Sequence, residues 1–124
     1  MPSQAEMKQA LLAYVDAMNR GDLEGVLALF AQDAQVEDPV GSPTMKRPEF
    51  AEFYRRGIGM KANLTPIGPV RGSHGRAAAL AFVVRMESGG QMVSINSVDV
   101  ATFDESGKIL TMKGYWGPED ASPD

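Results

Sequence analysis

With 124 residues, the chain has room for one domain with a sizeable core and not for two. Hydrophobic residues at 44% and charged ones at 23% are ordinary globular values, and a net charge of −4 argues against a nucleic-acid surface. The absence of cysteine excludes disulfides, thiolate metal sites and a cysteine nucleophile. No apolar run approaches membrane-spanning length, and the start MPSQAEMKQ lacks the basic and hydrophobic regions of a signal peptide. A cytoplasmic protein is expected.

Ser3 followed by Glu6 forms a capping-box pattern, opening a helix that runs to about Arg20 and stops at Gly21. Its apolar stripe is Met7, Leu11, Tyr14 and Met18, so Tyr14 faces inward, either as core filler or as an internal hydroxyl. Asp22 caps a second helix over 23–30. The stretch VEDPVGS, 36–42, reads as a short strand with Ala34, Val36, Asp38 and Val40 on the apolar face and Glu37 on the wet one. A carboxylate among valines loses solvation and gains basicity; the alternative is that Asp38 only starts a turn before Pro39. Pro48 suits the first turn of a third helix, which carries Phe50, Phe53 and Tyr54 and ends near Gly57 or Gly59.

From Asn63 the period becomes two. Residues 63–70 make a weak edge strand interrupted by Pro66 and Pro69, and RGSHG makes a turn with His74 in solvent. Residues 76–87 form a strong strand with Ala78, Leu80, Phe82, Val84 and Met86 on one face. ESGG is a hairpin turn into a strand over 91–103, whose apolar face contains Asp99. A last strand over 108–116 aligns Leu110, Met112, Gly114 and Trp116, and the tail 118–124 has no pattern and is expected to be loose. Helices first and hairpin-linked strands after predict one α+β domain over 1–124: three helices on a curved, mostly antiparallel sheet, forming a cone around an apolar pocket.

Asp99 is a poor strand former on the heavier apolar face. It either pairs with Arg71, Arg76 or Arg85, sits at a bulge, or faces a cavity. Tyr14, Asp38 and Asp99 thus come from three elements whose inward faces converge, as titratable groups do in a site. No glycine-rich phosphate loop, metal-ligand cluster or serine–histidine pair accompanies them. One ionised carboxylate opposite a phenol and an un-ionised carboxyl fits proton abstraction beside a carbonyl, with two donors on the enolate oxygen.

The run AYVDAMNRGDLEGVLALFAQDAQVEDPVGS, 13–42, resembles the bacterial ketosteroid isomerases, members of the cone-shaped nuclear-transport-factor-like (SnoaL-like) superfamily. The resemblance covers nearly the whole chain and weakens over 61–76. It implies that Asp38 is the base, Tyr14 and Asp99 form the oxyanion hole, and Tyr54 in EFYRR supports Tyr14. A neutral aspartic acid is a known feature of that family, so an elevated Asp99 is inherited from the resemblance. Phe30 stands where some members carry a further tyrosine, so a hydroxyl chain would stop at Tyr54. The implied activity moves the double bond of a 3-keto-5-ene steroid into conjugation, in a homodimer, without cofactor or metal. Strand parity and the resemblance place the steroid against Phe82, Met86, Met112 and Trp116. A polyketide-type cyclase or dehydratase acting on another enolisable ketone and a non-catalytic carrier of apolar ligands are the alternatives, because most of the superfamily shares the NxGD pattern without the reaction.

Overall fold

The computed structural model describes residues 1–124. Ser3 and Glu6 close a reciprocal capping box: Glu6 N–H donates to Ser3 Oγ at 3.0 Å and Ser3 N–H donates to Glu6 Oε1 at 2.8 Å. They launch α1 (Gln4–Arg20), which ends where Gly21 adopts φ 70°, a conformation that costs glycine nothing. Asp22 Oδ1 then accepts the Gly25 N–H and caps α2 (Leu23–Leu27). This helix is shorter than the pattern predicts, because Phe30 opens β1 (Phe30–Glu37) instead of closing the helix. Leu29 C=O accepts the Ile109 N–H, so pairing with a distant strand captures the chain before another helical turn completes. Pro48 lies in the first turn of α3 (Arg47–Gly59), as expected.

The other strands are β2 (Asn63–Pro66), β3 (Ala77–Ser88), β4 (Gln91–Phe103), β5 (Ile109–Tyr115) and β6 (Ala121–Pro123). They form one mixed sheet in the order β1-β5-β4-β3-β2, in which β1 runs parallel to β5 and the remaining pairs are antiparallel. The β3–β4 hairpin turns on Gly89 and Gly90, at φ 60° and 80°, which only a turn favouring positive φ requires. Register shifts in β1 and at the end of β4 bend the sheet around the helices. The tail corrects its expectation. Pro118–Asp120 form a 3-10 turn and β6 pairs with Val93, Ser94 and Ile95, filling the part of the β4 edge that β5 leaves open. The terminal Asp124 carboxylate binds Arg85 and Ser94.

The core lies between the helices and the concave sheet face. Leu11, Val15 and Met18 of α1 and Phe50 of α3 are buried with Leu80, Phe82 and Val84 of β3 and Ala101 and Phe103 of β4. Phe30, Phe50 and Tyr54 cluster with ring centroids 5.0 to 6.2 Å apart. No helix is long and apolar enough to cross a membrane.

Asn19 of the NRGD stretch holds β2 to α1. Its Nδ2 donates to Leu64 C=O at 2.9 Å and its Oδ1 accepts the Leu64 N–H at 2.7 Å, so one side chain replaces a ladder neighbour. Asn19→Ala strands a buried backbone pair and is expected to cost about 2 kcal/mol. Urea unfolding measures it. A change below about 0.5 kcal/mol would mean that water replaces the side chain without loss.

Candidate active site

Beneath the helices opens a cavity of about 740 Å³. That is the size of a small-molecule site, about 300–1,000 Å³. Thirteen of its 21 lining residues are hydrophobic, so its ligand is largely apolar. The β3–β4 ladder supplies one wall, in the successive pairs Phe82–Ser97, Val84–Ile95 and Met86–Val93. Met18, Tyr14, Phe53, Tyr54 and Met60 come from α1 and from α3 and its C-cap. Tyr14, Asp38, Tyr54, Ser97 and Trp116 supply polar groups toward the inner end, and Arg55, Arg56 and Ser88 lie at the other.

Asp38 lies just beyond β1, whose ladder stops at Glu37, so the predicted strand over 36–42 is corrected. Pro39 has no N–H to continue pairing, and the Asp38–Pro39 peptide is cis. Val40, expected inward, is exposed instead, because the loop turns there: Val40 N–H donates to Gly114 C=O at 2.8 Å and Ser42 N–H to Pro39 C=O at 3.0 Å. Glu37 faces the wet side, where its carboxylate accepts the Gly41 N–H at 2.8 Å. This loop lays the Asp38 carboxyl directly on Gly114. A Cβ on that glycine would stand 2.5 Å from Asp38 Cγ, so the carboxyl occupies the volume a side chain would need. Trp116 Nε1–H donates to Asp38 Oδ1 at 3.0 Å.

Gly114 is the ladder partner of Asp99, whose other neighbour is Leu80. Asp99 is 2% exposed and lies two residues past Ser97 on the same strand face; Ser97 lines the cavity, whereas Asp99 is buried behind it and does not. No cation approaches it. Arg76 pairs with Glu105 at 3.2 Å, Arg85 pairs with Asp124, and Arg71 is exposed while its backbone bridges Ala79. Asp99 Oδ1 and the Tyr54 hydroxyl are buried without a hydrogen-bond partner in the chain. The Tyr14 and Tyr54 rings meet edge-on at 5.8 Å.

Burial first, and then the nearby Asp38 charge, pushes the Asp99 carboxyl well above the usual aspartate range. Asp38 is also raised by burial, and the Trp116 N–H opposes the shift by bonding the ionised form. Burial above all, with the Asp38 charge adding to it, holds both tyrosines well above an ordinary phenol, so they remain donors at neutral pH. Tyr14, Asp38, Tyr54, Phe82, Met86 and Trp116 all line the cavity. Met112 does not. It pairs with Val36 and Ala101, one step beyond Asp99, where helices and sheet close together, and it is a core residue 1% exposed. Two features escape a reading of the sequence alone: the seat at Gly114 and the indole bond to Asp38. Both depend on where the 38–42 loop crosses β5, which no local pattern encodes.

An apolar, carboxyl-bearing cone of this kind defines a class, and the comparisons agree. The SnoaL-like domain model matches residues 11–112, and the chain belongs to that family, within the nuclear-transport-factor-like superfamily. It is 38% identical over 117 residues to a steroid Delta-isomerase of Nocardioides simplex, covering 94% of both chains. Similarity of that extent supports an isomerase. It is 30% identical over 127 residues to the epoxide hydrolase LasB of Streptomyces lasalocidi, of which it spans 45%, less than half. A solved structure of SalBIII, an epoxide hydrolase/cyclase-like enzyme of pyran ring formation in polyether salinomycin, superposes with TM-score 0.92 at 28% identity, both chains covered in full.

Two pH experiments probe the carboxyls. Trp116→Phe removes a donor to ionised Asp38, so its carboxyl titrates higher and the acid limb of the kcat/KM profile moves to higher pH. An unmoved limb would mean that the group it reports is not the indole-bonded Asp38. For Asp99, a raised folded value means that the folded chain keeps a proton the unfolded chain releases. Stability therefore falls as pH rises above about 3.9, by about 1.4 kcal/mol per pH unit, until the folded group ionises. Asp99→Asn abolishes this slope, and its stability relative to the native chain is expected to improve as pH rises from about 4. Urea unfolding across that range reads the difference; a constant offset would place an ionised Asp99 in the fold.

Proposed function

We propose that the protein is a steroid Δ5-3-ketoisomerase, in which Asp38 carries a proton from C4 to C6 of a 3-keto-5-ene steroid. The observation that carries the proposal is the placing of two unlike carboxyls on either side of Gly114, one lining an apolar cavity and the other buried behind its wall. Asp38 is half-buried and bonded by an indole N–H that favours its ionised form, whereas Asp99 is fully buried, without a cation, and favoured un-ionised. One is suited to accept a proton and the other to donate a hydrogen bond. Tyr14 supplies the second donor.

In the proposed reaction the Asp38 carboxylate takes the C4 proton, and the electron pair moves through the carbonyl to give a dienolate. Tyr14 and protonated Asp99 donate to its oxygen. Asp38, now a carboxylic acid, returns the proton to C6, so the double bond shifts from C5–C6 to C4–C5 and the enzyme is regenerated. An oxyanion donor aimed at such a developing charge is worth about a hundred- to a thousandfold in rate. Tyr54, behind Tyr14, would orient its phenol, while Phe82, Met86 and Trp116 would bear on the skeleton. Such an enzyme would be cytoplasmic and homodimeric. The convex face of the sheet, with Val83 and Val100 half-buried and Val98 and Tyr115 exposed, supports pairing of two copies there.

The kinship with LasB and SalBIII supports a second chemistry on the same residues: protonated Asp99 opening an epoxide while Asp38 deprotonates the attacking oxygen. Absorbance of the conjugated enone from 5-androstene-3,17-dione separates the two. Asp38→Asn is isosteric and is expected to lower isomerisation at least about a thousandfold with the fold retained. Undiminished turnover in that variant would remove Asp38 as the base, and absence of enone with the native chain would favour the epoxide chemistry.

A further inference from the structure

The cavity also has an outer end, and its charge differs from the inner one. Asp38 is the only carboxylate among the lining residues, and the only cations there are Arg55 and Arg56, in an otherwise acidic protein of net charge −4. These arginines are not equivalent. Arg55 also lines the cavity, but Glu52 holds its guanidinium in two contacts. Arg56 follows Phe53 by three residues and precedes Met60 by four, so it flanks the helix face that those two residues and Gly57 present to the cavity. It forms no ion pair in the chain. Its place in the last turn of α3 suits the helix dipole, but that would be equally served on the solvent side.

The end of α3 lies at the cavity mouth, because Met60 C=O accepts the Glu87 N–H at 2.9 Å, near the β3–β4 hairpin. From Phe82, opposite Ser97, to Ser88 the wall runs six residues. That is roughly 20 Å. A fused four-ring ketone spans roughly 11 Å, about nine carbon–carbon bonds. With its carbonyl at the inner end, such a ring system stops short of the mouth, and the remaining length suits a short chain on the far ring.

We infer that the substrate is an apolar ketone bearing a carboxylate on a chain at the end remote from the reacting carbonyl, and that Arg56 receives this carboxylate. The inference rests on the isomerase proposal for the orientation of the ketone. It makes Arg56 a specificity-determining residue, remote from the proton transfer, so its effect appears in KM and not in kcat. The ion pair is exposed and therefore modest, and salt weakens it.

The test compares a 3-oxo-5-ene steroid with a five-carbon acid side chain on its last ring against the methyl ester of the same compound. At low ionic strength the native enzyme is expected to favour the acid about two- to fivefold in kcat/KM, through KM. Arg56→Gln, or high salt with the native chain, should bring the ratio to near one. Equal kcat/KM for acid and ester in the native enzyme, or the same ratio in Arg56→Gln, would overturn the inference while leaving the isomerase proposal in place. Binding of both compounds, read by quenching of Trp116 fluorescence, separates the reverse case. An Arg56-dependent preference for the acid without enone formation would uphold the acid subsite and sink the isomerisation.

Discussion

Burying a carboxyl without a cation is the constraint on which the rest of the structure turns. Asp99 lies in the middle of β4 with Leu80 on one side and Gly114 on the other, and none of the arginines near the sheet reaches it. A charge placed there would lose its hydration with no partner in return, so the proton stays on the oxygen instead. That outcome requires apolar walls throughout. The aliphatic face of β3, the methionines of α1 and the aromatic cluster of α3 therefore form both the core and the dielectric of the site.

The neighbouring carboxyl meets the opposite condition within the same few ångströms. Asp38 keeps partial contact with solvent and receives one N–H, which opposes, without outweighing, the rise that burial imposes on its carboxyl. A negative Asp38 also disfavours ionisation of Asp99. Their difference follows from a single geometric fact: one carboxyl projects from inside a strand and the other from a loop laid over it.

Much of this was legible in the sequence. The period-two runs of β3 and β4 gave their bounds closely, because both strands bury one face and hairpin glycines mark the turn. Asp99 stood out for the same reason, as a charge on an apolar face. The capping box at Ser3 and the stop at Gly21 are local chemistry and appeared as read. What escaped was set at long range. Phe30 belongs to a strand because β5 pairs with it, Met112 is core because the cone closes one step beyond Asp99, and the tail is ordered because β4 leaves an edge for β6. The acids, the phenol and Trp116 could be named in advance, but the bond between indole and carboxylate could not, since it joins residues 78 positions apart.

Gly114 gives this arrangement an evolutionary corollary. Because the carboxyl of residue 38 fills the hollow above that glycine, the two positions draw on a common few cubic ångströms. Substitutions there should be epistatic: the effect of enlarging one depends on the bulk of the other, as for any pair in direct contact. Diversification of this scaffold toward new chemistry would then proceed through coordinated changes at loop and strand, with the size of residue 114 governing how far the carboxyl of residue 38 projects into the cavity.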